Sequence, residues 1–113
     1  MLKIYHNPRC SKSRQCLAFA DSTNEPYEVV NYLTDVPTLE ELQILLGKLQ
    51  IEPMELVREN EKIWIEKYKG TPLTDIEIIK AMVANPILIE RPIIVNGDRA
   101  IIGRPIENIK RIL

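Results

Sequence analysis

The first thirty residues change their hydrophobic period twice, and this constrains the fold more than any other property of the chain. Leu2 to His6 alternates apolar and polar side chains with β-branched and aromatic members, the pattern of a half-buried strand. From Ser11 the period becomes helical, with apolar or small residues at Ser13, Cys16, Leu17 and Ala20. Turn signals at Thr23-Asn24-Glu25-Pro26 then lead into a second strand over Tyr27 to Tyr32. Strand, helix and strand in this order form a βαβ unit, whose strands run parallel with a right-handed crossover.

A helical stretch follows. Thr38 with Glu41, and Thr74 with Glu77, have capping-box spacing ahead of the runs Leu39 to Leu49 and Ile78 to Val83. Pro53 suits the first position of a short helix carrying Met54, Leu56, Val57 and Arg58. Glu61 to Tyr68 is a weaker helical segment, and Asn85-Pro86 ends the last helix of the stretch. Pro92 to Val95 and Ala100 to Ile102 read as a hairpin around an Asn-Gly type turn, and a final helix is expected from about Pro105 to Leu113. The order βαβ, helical insert, ββα predicts an α/β fold of residues 1–113 as a single domain: a thioredoxin/glutaredoxin-like mixed sheet flanked by helices, with the insert at about 36–86. In that architecture the end of the first strand lies beside Glu90-Arg91-Pro92, with Pro92 expected in cis.

The junction between the first strand and helix concentrates the chemistry. His6-Asn7-Pro8-Arg9-Cys10-Ser11-Lys12-Ser13-Arg14 sets Cys10 where the unpaired N–H groups of a helix start point, with the positive end of the macrodipole behind them. A helix N-terminus with nearby cations lowers a cysteine pKa from about 8.5 to roughly 3.5–7.5. Arg9, Lys12 and Arg14 supply cations, and in a first turn each opposes the dipole by roughly 0.3–1 kcal/mol unless an anion is present. That anion is the thiolate, an oxyanion substrate, or both. The same residues also read as solvated surface charges around a buried thiol.

With 15 basic and 16 acidic residues among 113, the net charge of −1 argues against nucleic-acid binding and gives no reason for membrane attraction. No apolar run approaches the roughly 20 residues of a membrane span. Met1-Leu2-Lys3 leads straight into a strand, so no signal peptide is expected and a cytoplasmic location is. Two cysteines in a reducing compartment point to catalysis or packing before a structural disulfide. Six helical residues separate Cys10 and Cys16 by about 9 Å between Cα atoms, whereas a disulfide needs less than about 7 Å. Cys16 therefore reads as a core residue, and any resolving thiol must come from another molecule. One histidine and two distant cysteines do not make a zinc site, so no metal or bound organic cofactor is expected.

Four motifs in order resemble the signature set of the glutaredoxin-coupled arsenate reductases: His6-x3-Cys10-x3-Arg14, Arg58 in Glu-Leu-Val-Arg-Glu-Asn, Arg91 in Ile-Glu-Arg-Pro-Ile-Ile-Val, and Arg104 in Ile-Gly-Arg-Pro. The resemblance implies a single catalytic cysteine, Cys10, supported as a thiolate by His6 and Arg14. It also implies an oxyanion site of Arg58, Arg91 and Arg104. The substrates implied are arsenate and glutathione, with glutaredoxin as protein partner. Read without the resemblance, Arg58 among Glu55, Glu59 and Glu61 is equally an ordinary surface ion pair, and His6 a packed strand-end histidine. Ser13 stands where a Cys-x-x-Cys pair needs its second cysteine, which speaks against a dithiol enzyme and the redox switch of Spx-type regulators. Two alternatives keep the fold: a thiol protein acting on another substrate, and an Spx-like regulator binding RNA polymerase. The loop is also more charged, at Arg9 and Lys12, than in the reductases it resembles.

Overall fold

Strand β1 (Leu2–His6) is interior to the sheet because it finds partners on both edges. It pairs in parallel with β2 (Tyr27–Asn31) and antiparallel with β3 (Ile93–Asn96), which pairs antiparallel with β4 (Arg99–Ile102), giving the order β2-β1-β3-β4. A computed structural model describes all residues 1–113, arranged in two compact units: residues 1–35 with 91–113, and residues 36–90.

In the sheet unit, Ile4 lies opposite Ile94, which lies opposite Ile101. The two-residue period puts these side chains and Leu2 on one face. That face packs against Cys16 and Ala20 of α1 (Ser11–Ser22) and against Ile109 and Ile112 near the C-terminus, all buried. Burying each large aliphatic side chain contributes roughly 1.5–3 kcal/mol. His6, two residues beyond Ile4, falls on the same face and is 7 % exposed. The mixed sheet, its parallel βαβ start and its hairpin end are thioredoxin-like, as the element order implied.

Three local details differ from expectation. The C-terminal segment winds as a 3-10 helix over Ile106–Arg111, and its apolar residues explain the choice. Ile106, Ile109 and Ile112 recur every third position, which lines one face of a helix with three residues per turn. The hairpin turn is Gly97-Asp98 instead of Asn-Gly, because Asn96 stays paired with Arg99 while its side-chain amide donates to the Ile112 carbonyl. Gly97 at φ +63° and no positive φ at Asp98 is the type II′ pattern. Arg58 lies outside the short helix that Pro53 starts: the 3-10 helix ends at Leu56, and extended Val57 bridges Ile89.

The 36–90 unit is built on α2 (Leu39–Leu49), α3 (Lys62–Lys67) and α4 (Asp75–Ala84). Both capping boxes form. The Glu41 N–H donates to Thr38 Oγ1 at 3.1 Å and the Glu77 N–H to Thr74 Oγ1 at 3.3 Å, with the glutamate carboxylates accepting in return from the threonine N–H groups.

Gly103 is required by packing, since a Cβ there meets Ile94 Cδ1 at 2.8 Å and Pro92 Cγ at 3.1 Å. Gly103→Ala is therefore expected to destabilise the protein by roughly 1–3 kcal/mol through overpacking. Gly47, exposed in α2 with open space around it, gives the opposite sign: Gly47→Ala should stabilise by about 0.5–1 kcal/mol. Urea denaturation of the two variants checks both.

Candidate active site

The chain leaves β1 at His6 and enters α1 at Ser11, and four backbone-directed hydrogen bonds close the loop between them. The Asn7 N–H donates to Ser13 Oγ at 3.3 Å, and Asn7 Oδ1 accepts from the Arg9 N–H at 3.0 Å, a side-chain-closed turn. The Cys10 N–H donates to the Asn7 carbonyl at 3.0 Å, and Arg14 Nη1 donates to the Pro8 carbonyl at 2.9 Å. Cys10 is thereby left at the N-cap of α1 with extended dihedrals and half-buried.

The first turn of α1 holds no acidic residue, whereas those of α2 and α4 hold Glu40 and Glu41, and Asp75 and Glu77. The anion that the dipole favours is the Cys10 sulfur itself. Burial raises the Cys10 pKa, but the backbone N–H of Ser13, the Arg91 guanidinium and the backbone N–H of Lys12 together outweigh it. The result is a pKa lowered from 9.0 to about 7. Sγ completes no capping hydrogen bond of full geometry, so these N–H groups act on the thiolate as dipoles.

Two arginines reach the sulfur. Arg104 Nη2 lies 3.3 Å from Cys10 Sγ, and Arg104 Nε donates to the Arg91 carbonyl at 2.6 Å, so the backbone of one arginine aims the side chain of the other. Arg91 is 9 % exposed. The peptide bonds Arg91–Pro92 and Arg104–Pro105 are both cis. The Gly103 N–H donates to the Pro92 carbonyl at 2.8 Å, tying the two segments together. Asn108 Nδ2 donates to the carbonyls of Arg104 and Ile102 and holds the far side of this turn. Asn7 and Asn108 are positioning residues that the sequence reading did not single out. The signal for Asn7 was an asparagine before Pro8 at a strand end.

The other expected residues have different placements. His6 has its pKa lowered below 6.5, chiefly by burial, with a backbone interaction at Ser13 opposing and the Arg14 charge adding to the effect. It is a neutral imidazole at pH 7, with Nδ1 buried and without a hydrogen-bond partner. Arg14 is committed to the Pro8 carbonyl and acts on the loop. Arg58 belongs to the 36–90 unit, where Nε contacts Glu61 Oε1 at 3.2 Å and Nη1 contacts Glu90 Oε1 at 2.7 Å. Burial opposes its charge, but these carboxylates raise its pKa above the ordinary value. Glu61 was among its expected partners; Glu90, 32 positions away in sequence, was not. Cys16 is fully buried, and burial pushes its pKa up to about 11.

Chemically, the sheet unit presents one ionisable, accessible thiol with guanidinium donors beside it. No group of three or more His, Cys, Asp or Glu side chains is gathered to hold a metal ion. Alkylation of Cys10 by iodoacetamide should follow a titration with its midpoint at about pH 7. The rate rises through that pH as the thiolate forms, while Cys16 stays unmodified in the folded protein. Arg104→Ala should move the midpoint upward, and mass spectrometry of the alkylated protein checks each statement.

The profile of the ArsC family matches residues 5–112. An arsenate reductase of Neisseria meningitidis is 37 % identical over 99 % of this chain and 97 % of its own length. The uncharacterized protein YfgD of Escherichia coli is 42 % identical over 99 % of this chain and 96 % of its own length. Among solved structures, the arsenate reductase of Vibrio cholerae superposes with a TM-score of 0.95 at 39 % identity, covering 99 % of this chain and 97 % of that one. A match of this length, carried through the cysteine loop and both Arg-Pro segments, means that the chain belongs to the ArsC family.

Proposed function

We propose that this protein reduces arsenate to arsenite through a Cys10 adduct, with glutathione and glutaredoxin as the source of electrons. The observation that carries the reading is the placement of Arg104 Nη2 3.3 Å from a sulfur whose pKa is lowered to about 7. The arsenate reductases of Neisseria meningitidis and Vibrio cholerae, similar over nearly the whole chain, favour arsenate as the oxyanion.

Arsenate at neutral pH carries between one and two negative charges, so an approaching thiolate meets like-charge repulsion. Guanidinium groups at the sulfur offset that repulsion and fix the oxygens with several donors. The Cys10 thiolate attacks arsenic, a sulfur–arsenic bond forms, and one oxygen leaves as water or hydroxide. A glutathione thiolate attacks arsenic in the adduct and a second oxygen leaves as water. The glutaredoxin thiolate then takes the glutathionyl sulfur as a mixed disulfide, leaving the bonding pair on arsenic, and water cleaves the remaining Cys10–arsenic bond to release arsenite and the thiol. Arsenic gains two electrons while two thiols become one disulfide. An external thiol is needed because Cys16 is buried and protonated at neutral pH.

Arg58 is the third oxyanion ligand implied by the family resemblance, but Glu61 and Glu90 already match its charge. Its contribution should therefore be smaller than that of Arg91 or Arg104. The same chemistry on another thiol-reactive oxyanion is the second reading. It is favoured by the exposed cations Arg9 and Lys12 beside Cys10.

The test is arsenite formation by purified protein with arsenate, glutathione and glutaredoxin. Turnover should vanish in Cys10→Ser and largely persist in Cys16→Ser. Arg91→Ala and Arg104→Ala should each lose roughly 10²-fold or more, Arg58→Ala clearly less, and the exposed control Lys80→Ala nothing. Absent turnover with a Cys10 that still alkylates at neutral pH would move the assignment to another oxyanion.

A further inference from the structure

The 36–90 unit holds a cavity of about 320 Å³ that the thiol chemistry does not use. This is the small end of the range for ligand pockets, about 300–1,000 Å³. One wall is aromatic: Trp64 and Tyr68 are stacked, with ring centroids 5.3 Å apart. Leu73 and Ile78 add aliphatic surface. Glu59 and Lys69 line the same cavity, both exposed, and neither belongs to an ion pair.

The aromatic residues also carry unused donors. Trp64 is 5 % exposed, but its indole nitrogen is not among the buried atoms left without a partner, so its N–H is open to solvent and can donate to a ligand. A donor so placed exchanges a water for a ligand oxygen at little cost. The Tyr68 oxygen accepts from Asn85 Nδ2 at 3.1 Å, which leaves its own O–H available to donate. The cavity thus combines an apolar wall, neutral donors, one cation and one anion.

We propose that this cavity binds a free apolar α-amino acid. The ligand's side chain lies against the Trp64–Tyr68 wall, its carboxylate is held by Lys69 with the indole or phenol donor, and its ammonium is held by Glu59. Charge complementarity selects this occupant. A simple carboxylic acid or amine leaves Glu59 or Lys69 unmatched, and the end residue of a peptide carries only one of the two charges. The volume is too small for a dinucleotide or a folded partner.

Trp64 is the one tryptophan in the chain, so the emission of the intact protein reports on the cavity. L-leucine, which does not itself absorb there, is the probe, with 3-methylbutylamine and 4-methylpentanoate as analogues lacking the carboxylate and the ammonium. L-leucine should give a saturable emission change with half-saturation at about 1 mM or below. Lys69→Gln and Glu59→Gln, both at exposed positions, should each weaken binding about tenfold, and both analogues should bind about as weakly as those variants bind L-leucine. The proposal is overturned by the absence of a saturable change, by unaltered affinity in both variants, or by analogues that bind as well as L-leucine. Isothermal titration of the same pairs must return the same constants.

Discussion

Burial by itself would keep the Cys10 thiol protonated at neutral pH, and the architecture of the sheet unit reverses that preference. The helix start supplies two N–H groups, at Lys12 and Ser13, and the two arginines arrive from the segments flanking the β3–β4 hairpin. Neither source suffices without the loop, because the hydrogen bonds at Asn7 hold Cys10 at the N-cap, a position that helical backbone would not give it. Ser13 joins the parts: its hydroxyl accepts from the Asn7 N–H, its backbone N–H faces the sulfur, and its backbone also meets His6. One buried serine therefore couples strand end, loop and helix start.

The two cysteines make the same point by contrast. They share one stretch of chain, yet one has a pKa of about 7 and the other of about 11. Residue type is identical, so environment alone separates them. Cys16 faces Leu2, Ile4 and Ile94 in the hydrophobic core, where nothing stabilises a negative charge. A reactive nucleophile and an inert packing residue thus sit within two turns of one another, one at the N-cap of the helix and the other on its core-facing side, and that placement decides the chemistry of each.

How much of this was legible in the sequence depended on the range of the interaction. The capping boxes at Thr38 and Thr74, the parallel βαβ start and the helix beginning just after Cys10 rest on residues within a few positions of one another, and they could be read directly. The final segment was read as an unspecified helix because six residues are too few to separate periods of 3.0 and 3.6, although Ile106, Ile109 and Ile112 carried the signal. Turn type at Gly97 was missed because the Asn96 side chain is engaged by the distant Ile112 carbonyl. Likewise Glu90 as partner of Arg58, and the Arg91 carbonyl as the guide for Arg104, depend on the tertiary fold. Residue types announced the chemistry, while partner choice was set by backbone segments that only folding brings together.

The bond from Arg104 to Cys10 spans 94 positions, nearly the whole chain. During synthesis, β1, α1 and β2 emerge long before Arg91 and Arg104, with the helical segment 36–90 between them. Until the last strands pair, Cys10 lacks both guanidinium groups and has only the N–H groups of Lys12 and Ser13 to favour its ionised form. Full nucleophilicity is therefore a property of the finished molecule. A chain without its C-terminal segment should hold a less ionised and less reactive cysteine, and fraying of the turn that Asn108 secures would withdraw the Arg104 guanidinium from the sulfur.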